Sequence, residues 1–308
     1  MIVIRVRVAQ IIFCDVGLLR LPRAGDYFVR LAAGSAQPRA QALTAQPEKI
    51  VRLRYFKLSG ALMWAFACAL AAQTNTRDAP TNATLAAAIA DPARPATDIA
   101  RDANRKPAEV LAFAGIKAGD KIADYAAGQG YFTRLFSTIV GPAGHVYGSV
   151  PNTLYKYPNI VKGTAEVESY LFTHPNASLN FGAALDVAKY PEKLDVFWIS
   201  QNYHDLKDKF MGPVDVAAFN RAVFAALRPG GTYIVLDHVA AKGAPADVTE
   251  TLHRIDPALV RREVEAAGFK FESESRVLAN PADPHTADVF DPTIVGRTDQ
   301  FIYKFKRP

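Results

Sequence analysis

Apolar segments of strand length alternate with segments of helical periodicity through residues 98–308. Residues 194–199 are apolar apart from Asp195, which is typical of a parallel strand buried on both faces. Two strand-like segments without a helix between them end the chain. This order predicts an α/β fold in which a seven-stranded, mostly parallel sheet has an antiparallel last strand and helices on both faces. The predicted strands are 121–124, 145–150, 178–183, 194–199, 232–238, 270–278 and 300–306, and the predicted helices are 85–90, 107–114, 132–140, 165–172, 217–227 and 257–267.

A glycine-containing turn joins the first predicted strand to its helix. The strand ends at Asp124, and Ala126, Gly128 and Gly130 follow before the predicted helix begins at Phe132. Glycine has no Cβ, so the backbone at Gly128 and Gly130 can approach a ligand closely. The helix that follows points unpaired N–H groups above the turn. At the carboxyl end of a first strand such a turn forms a nucleotide or cofactor pocket, although it also fits a plain tight connection.

Basic residues and cysteines are concentrated in the first 71 residues of the chain. Residues 1–71 contain ten of the 36 Lys and Arg residues, only three of the 30 acidic residues, and both cysteines, Cys14 and Cys68. The remaining 26 basic and 27 acidic residues nearly balance, which does not favour nucleic-acid binding. The absence of cysteine after residue 71 excludes disulfides, thiolate metal sites and cysteine nucleophiles from the body of the chain.

Residues 51–71 have the features of a secretory signal peptide. Arg52, Arg54 and Lys57 precede an apolar run of 58–70, and Ala69-Leu70-Ala71 provides a small-residue cleavage site. The run is shorter than the ~20 residues of a membrane span, so we expect no stable span after cleavage. The alternatives are an uncleaved anchor or a buried helix. We therefore expect a periplasmic or secreted protein, with a cytoplasmic location as the alternative.

These segments give a domain organisation with four parts. Residues 1–50 lack periodicity and precede a complete signal peptide, so we interpret them as a spurious or disordered extension, with Val51 as a possible start. The signal peptide is 51–71, and residues 72–97 are rich in Ala, Thr, Asn and Pro, which predicts a linker with one short helix. Residues 98–308 form the predicted functional domain.

The chain from about residue 98 resembles the class I S-adenosylmethionine-dependent methyltransferases. The resemblance rests on the Asp-x-x-x-Gly-x-Gly turn at 124–130, the Gly-x-Val-Tyr sequence at 144–147, the Leu-Arg-Pro-Gly-Gly sequence at 227–231 and the Glu-Ala-Ala-Gly-Phe sequence at 265–269. The segments 201–205, 280–281 and 290–292 are similar to a family of predicted bacterial methyltransferases with signal peptides. The resemblance implies a Rossmann-like fold, S-adenosyl-L-methionine as cofactor and methyl transfer to a small-molecule substrate.

The resemblance also assigns the candidate site residues. Cofactor binding would involve Asp124, Ala126, Gly128, Gly130, Tyr131, Gln201, Asn202 and Tyr203. His204 follows the fourth strand, where it could act as a general base with Asp205 to orient it; the alternatives are a packing role for His204 and helix capping for Asp205.

Other polar groups are weaker candidates. Asp237 and His238 end the fifth strand, where a structural role is the alternative to a catalytic one. Arg101, Asp102 and Arg105 could form an N-terminal lid, or serve as capping and surface charge. No metal site is predicted, because the spacing of Asp283, His285, Asp288 and Asp291 matches no metal template and fits a solvated loop.

Two departures from the family pattern support a second hypothesis. Ala126 stands where the family has its first glycine, and Ser149-Val150-Pro151 lacks the acid that binds the ribose hydroxyls. Export would also separate the protein from the cytosolic cofactor. The alternative function is therefore an exported, non-catalytic ligand-binding protein on a degenerate methyltransferase fold.

Overall fold

The structure is a computed structural model, and it describes residues 81–212 and 214–308, without the side chains of residues 187 and 188. The predicted extension (1–50) and signal peptide (51–71) lie outside the described residues, as does the first part of the predicted linker. No helix within the described part of the chain is both long and apolar enough to span a membrane.

Seven strands form a single sheet in the order β3-β2-β1-β4-β5-β7-β6. Strands β1 to β5 pair in parallel, and β7 is antiparallel to both β5 and β6. The strands are β1 (Lys121–Tyr125), β2 (His145–Pro151), β3 (Ala177–Gly182), β4 (Leu194–Ser200), β5 (Leu227–His238), β6 (Lys270–Ser275) and β7 (Gln300–Lys306). The predicted α/β class, the seven strands and the antiparallel last strand are confirmed.

Helices cover both faces of this sheet, as predicted. Successive residues of β4 point to opposite faces, so Phe197 belongs to one hydrophobic cluster and Trp198 to the other. The first cluster contains residues from helices Val216–Ala226 and Pro257–Ala266, and the second contains residues from helices Pro107–Ala114 and Tyr131–Val140. The other α-helices are Asn82–Ile89, Ala96–Ile99, Asp102–Arg105, Pro158–Leu171 and Val248–Leu252, and 3₁₀ helices occupy Asn152–Lys156, Ala184–Ala188, His204–Lys207 and Lys209–Met211.

The short helix predicted within the linker packs against the core. It spans Asn82–Ile89 and is capped by the Thr81 hydroxyl, which accepts a hydrogen bond from the Thr84 N–H at 3.1 Å. Leu85 and Ala88 are buried in the second hydrophobic cluster. The later part of the segment interpreted as a linker is therefore folded against helices Pro107–Ala114 and Tyr131–Val140.

Candidate functional site

Positive φ angles shape the turn between β1 and helix Tyr131–Val140. Gly128 and Gly130 have φ angles of 56° and 75°, and Ala126 also takes a left-handed conformation with φ of 54°. The Ala127 N–H donates to the Ser149 carbonyl at 3.0 Å, which fixes the turn on the end of β2. Alanine at the first glycine position therefore adopts a conformation for which glycine is better suited.

The two glycines of the turn serve different purposes. A Cβ at Gly130 would lie 2.3 Å from Val167 Cγ2, so the absence of a side chain there allows packing against helix Pro158–Leu171. A Cβ at Gly128 would meet only the Ala126 carbonyl oxygen, at 3.7 Å, and the space beyond it is open. A ligand would therefore have room to reach the backbone at Gly128, whereas protein atoms fill the corresponding space at Gly130.

Asp124 lies beneath the turn. It is 3% exposed, and its Oδ2 accepts a hydrogen bond from the Thr133 hydroxyl at 2.6 Å. Burial raises its pKa to about 7, against the opposing effects of the Thr133 hydroxyl and the Arg105 charge. Asp124 therefore supports the first turn of helix Tyr131–Val140 through Thr133.

Tyr131 is covered by the segment that precedes β1. Its hydroxyl donates to Asp102 Oδ1 at 2.6 Å, and the same carboxylate accepts two bonds from Arg94, at 2.6 and 2.9 Å. The guanidinium of Arg105 lies 4.6 Å from the centre of the Tyr131 ring, within the range of cation–π attraction. The predicted lid residues thus lie against the start of the helix that follows the turn.

Arg105 also reaches the end of β4. It donates to Gln201 Oε1 at 3.0 Å, and Gln201 Nε2 donates to Gln300 Oε1 at 3.2 Å. Burial lowers the pKa of Arg105 to about 10, which leaves it charged at neutral pH. The N-terminal segment therefore places a positive charge between the glycine turn and the carboxyl end of β4.

A narrow cleft lies beside the carboxyl ends of β1, β2 and β3. Its free volume is about 40 Å³, and it is lined by residues that include Tyr125, Ser149, Asp186 and Tyr190. Ser149 Oγ and the Tyr190 hydroxyl are 3.1 Å apart, and the buried Tyr125 hydroxyl forms no hydrogen bond within the described residues. These hydroxyls and Asp186 occupy the region where the family pattern would place an acid. The sequence analysis did not name Tyr125, Asp186 or Tyr190, because only the fold brings them together.

His204 is held between two carboxylates. Its Nδ1 lies 2.8 Å from Asp237 Oδ1, and its Nε2 lies 3.1 Å from Asp205 Oδ1. Burial disfavours the charged imidazole, but Asp237 and Asp205 outweigh it and raise the pKa of His204 well above its ordinary value. Each ring nitrogen of His204 is therefore engaged with a carboxylate, so neither one is free to take a proton from a substrate in this geometry.

The neighbours of His204 have separate roles. The Asn202 amide donates to Asp205 Oδ2 at 2.6 Å, so it orients that carboxylate. Tyr203 is fully buried in the first hydrophobic cluster, and its hydroxyl contacts Glu263 at 3.1 Å and Asn220 at 2.8 Å. The structure thus brings Gln201, Asn202, His204 and Asp205 to one edge of the sheet, but places the Tyr203 ring in the core, where it cannot stack on a cofactor.

Asp237 and His238, at the end of β5, are both buried. Asp237 accepts hydrogen bonds from the backbone N–H of His204 and of His238, at 2.9 and 2.8 Å. Burial opposes its ionisation, but the adjacent His204 prevails and lowers the pKa of Asp237. Burial lowers the pKa of His238 to about 3, and its Nδ1 lies 2.7 Å from the Thr298 hydroxyl. This strand end therefore orients His204 and keeps His238 neutral.

The polar connection between β6 and β7 is organised by internal contacts. Asp283 pairs with both terminal nitrogens of the buried Arg254, at 2.8 and 3.1 Å, and His285 Nε2 lies 2.9 Å from Asp299. The carboxylates of Asp288 and Asp291 each accept backbone N–H bonds within local turns. The structure does not gather these four predicted candidates into one site.

Two residues that the sequence analysis did not consider lie beside His204. Asp208 and His253, with His204 and Asp205, each have one potential ligand atom within 4.8 Å of the others. Asp208 follows the 3₁₀ helix His204–Lys207, but His253 comes 49 residues after His204, beyond β5. A His-Asp-x-x-Asp sequence at 204–208 was the only local signal of this cluster.

Comparison with known proteins gives likenesses of fold. No protein-family model matches the chain, and no curated protein matches it. A SAM-dependent methyltransferase from Aquifex aeolicus is 17% identical over 65% of this chain and 88% of its own, with a TM-score of 0.45. Aeropyrum pernix fibrillarin, solved with natively bound S-adenosyl-L-methionine, is 17% identical over 62% of this chain and 67% of its own, with a TM-score of 0.41. An arsenic(III) S-adenosylmethionine methyltransferase from Chlamydomonas reinhardtii is 14% identical over 72% of each chain, with a TM-score of 0.45.

The fold assignment rests on the sheet itself. The strand order 3-2-1-4-5-7-6, with β7 antiparallel and a glycine turn after β1, is present in full within the described residues. The chain therefore has a Rossmann-like α/β fold with an antiparallel last strand.

Proposed function

We propose that the chain is a class I S-adenosylmethionine-dependent methyltransferase that acts on a small-molecule acceptor. The observation that carries the proposal is the turn at the carboxyl end of β1, where the side of Gly128 that lacks a Cβ faces open space. In open α/β sheets, ligands bind at this edge and beside this strand. At this edge of the sheet, the open side of Gly128 leaves room for a cofactor to approach the backbone.

The polar groups around the turn include hydrogen-bonding and charged side chains of the types that this cofactor requires. The hydroxyls of Tyr125, Ser149 and Tyr190 and the carboxylate of Asp186 line the cleft beside β2. They would hold the ribose hydroxyls and the adenine amino group. The Arg105 guanidinium, on the other side of the turn, would bind the carboxylate of the methionine portion in exchange for its contact with Gln201.

The cleft must widen for a cofactor to enter. Its free volume of about 40 Å³ is small beside the ~300–1,000 Å³ of pockets that enclose a ligand of this size. Ala183, Asp186, Lys189 and Tyr190 form one wall of it, all from the segment between β3 and β4. In the proposal, cofactor binding moves this segment outward and separates Tyr190 from Ser149.

The bound cofactor would supply an electrophilic methyl group, and the chain would position the acceptor. Gln201 lies at the end of β4 with a positive φ of 59°, held by its backbone bond to Leu236 at 2.7 Å. Its side chain contacts both Arg105 and Gln300, so these three residues are the polar groups best placed to orient an acceptor. His204 takes no proton in this scheme, because both of its ring nitrogens are engaged.

Calorimetric titration with S-adenosylmethionine and S-adenosylhomocysteine tests the proposal. Gly128→Ala puts a methyl group on the open side of the turn, and we expect it to weaken binding at least tenfold. Gly115→Ala is the matched control, since Gly115 also has a positive φ (69°) and nothing within 4 Å of the added carbon, but it ends helix Pro107–Ala114 away from the cleft. Unchanged affinity in a folded Gly128→Ala variant would contradict the proposed site.

Two observations favour the non-catalytic alternative as a second candidate. The end of β2 has Ser149, Val150 and Pro151 and no acid, and His204 has no free nitrogen. A ligand-binding protein on this fold would bind the cofactor without releasing S-adenosylhomocysteine in the presence of any acceptor. Release of that product with any small nucleophile would exclude this alternative.

We also propose that the protein is exported by the segment 51–71 and acts in the periplasm or outside the cell. The support is the sequence pattern of a positive start, an apolar core and an Ala-x-Ala end. The net charge of residues 72–308 is close to zero, which agrees with a small-molecule substrate and with no nucleic-acid partner.

A further inference from the structure

We propose that His204, Asp205, Asp208 and His253 bind one divalent transition-metal ion, with Zn²⁺ as the best-suited member of that class. Two imidazoles and two carboxylates are ligands that such ions accept, whereas Mg²⁺ and Ca²⁺ prefer oxygen ligands throughout. The sequence analysis predicted no metal site, so this inference departs from it.

The geometry of the four ligand atoms is close to that of a bound site. His204 Nε2 lies 3.1 Å from Asp205 Oδ1, and His253 Nδ1 lies 4.0 Å from Asp205 Oδ1 and 3.9 Å from Asp208 Oδ2. Four ligands in a tetrahedron with metal bonds of about 2.0–2.2 Å are roughly 3.3 Å apart. All four atoms lie within 4.8 Å of one another, so the separations need to shorten by at most about 1.5 Å to complete the site.

Asp208 provides an independent indication of a missing partner. Its side chain is fully buried, and neither carboxylate oxygen forms a hydrogen bond within the described residues. A buried carboxylate without a hydrogen-bond donor is poorly stabilised, and a metal ion would supply the missing partner.

Neighbouring groups orient the ligands toward one point. Asp237 accepts the Nδ1–H of His204, which leaves Nε2 as the atom directed at Asp205. Asn202 bonds Asp205 Oδ2, which leaves Oδ1 for the cluster. A carboxylate behind a ligating histidine is the usual second layer of a zinc site, where it fixes the tautomer and the ring orientation.

A doubly protonated His204 bridging Asp205 and Asp237 accounts for only part of this arrangement. It explains the positions of those three residues but gives Asp208 no hydrogen-bond donor. It also does not involve His253, whose Nδ1 faces the same two carboxylates from a left-handed backbone with φ of 53°. A metal ion explains all four residues together.

The site would join two loops at the carboxyl edge of the sheet. His204, Asp205 and Asp208 follow β4, while His253 ends helix Val248–Leu252 after β5. Four protein ligands make a closed site, which is typical of structural zinc. The ion would thus fix the loops on the acceptor side of the proposed pocket, whether or not the chain transfers methyl groups.

Elemental analysis and zinc titration of the purified full chain test the inference. Protein prepared without chelator should contain about one equivalent of Zn²⁺ or another divalent transition metal. After chelator treatment, Zn²⁺ should bind with one-to-one stoichiometry and raise the Tm, and Co²⁺ should give the visible absorption of a four-coordinate ion. The proposal would be overturned if the purified protein contained no divalent transition metal and if Zn²⁺ did not raise its Tm.

Variants identify the ligands and separate binding from misfolding. Asp208→Asn and His253→Ala should each weaken Zn²⁺ binding at least 100-fold, while Asp247→Asn, an exposed carboxylate in the same loop, should bind as the wild type does. Without metal, Asp208→Asn should have a Tm at least as high as that of the wild type, because neither carboxylate oxygen has a hydrogen bond to lose. Wild-type zinc affinity in Asp208→Asn would also overturn the proposal. S-adenosylmethionine binding is measured separately, so failure of either proposal is distinguishable from failure of the other.

Discussion

Three buried acids at the carboxyl edge of the sheet show how the surroundings of a residue decide its charge. Asp237 has His204 beside it and a lowered pKa, whereas burial raises the pKa of Asp208. Asp124 has a hydroxyl as its hydrogen-bond donor, and its pKa is raised to about 7. Asp237 is therefore ionised at neutral pH, whereas Asp124 is only partly ionised there.

The raised pKa of Asp124 predicts a pH-dependent loss of stability. The folded pKa of about 7 exceeds the ordinary value of 3.8, so the folded state binds this proton more tightly than the unfolded state does. Stability from this group is complete below about pH 4 and is lost as the pH rises to about 7. The amide of Asp124→Asn does not titrate. The free energy of unfolding of this variant should therefore rise relative to that of the wild type by up to ~1.4 kcal/mol per pH unit across that interval.

Urea unfolding of both proteins at several values between pH 4 and pH 9 measures this difference. The other ionisable groups are common to the two proteins, so their contributions cancel in the comparison. A stability difference that stays constant with pH would show that Asp124 is ionised in the fold throughout.

At the scale of helices and strands, the sequence predicted what depends on local pattern. The apolar run of β4 and the Pro107 and Gly115 signals gave elements close to those observed, because each is encoded by adjacent residues. Helix Pro158–Leu171 was predicted only from 165, since its first half is polar and contains Gly163. Asp208 and His253 were not predicted as neighbours, because the pairing of β4 with β5 brings them together and neither flanking sequence encodes it.

The helix Asn82–Ile89 offers a test of how far the folded unit extends. Leu85 is 5% exposed and packs in the second hydrophobic cluster, so Leu85→Ala should lower the free energy of unfolding by about 2–5 kcal/mol. Leu185→Ala is the control. The Leu185 side chain is 42% exposed, so its removal should lower the free energy of unfolding far less. Equal stability of the two variants in urea unfolding would show that the helix is an appendage to the domain.

At the scale of the whole molecule, the sheet order places the ends of β1, β4 and β5 side by side. The glycine turn after β1, Gln201 after β4 and the His204 cluster between the β4 and β5 loops thus face one edge of the sheet. Hydrophobic periodicity predicted that strands and helices alternate, but it does not determine strand order. The glycine turn and the residues after β4 were visible in the sequence, whereas Asp208, His253 and the cleft residues became recognisable only in the fold.

The location of the protein decides which of the two proposed functions it can perform. If 51–71 is a signal peptide, the chain recovered from the native host should begin at or within a residue or two of Ala72, in the periplasmic or secreted fraction. Ala71→Arg should block cleavage, because the site requires a small residue, whereas Ala61→Val in the apolar core should not. An intact N-terminus on a cytosolic wild-type product would contradict export. Such a product would meet the methyl donor where it is made, whereas an exported chain transfers methyl groups only if the donor reaches it outside the cytosol.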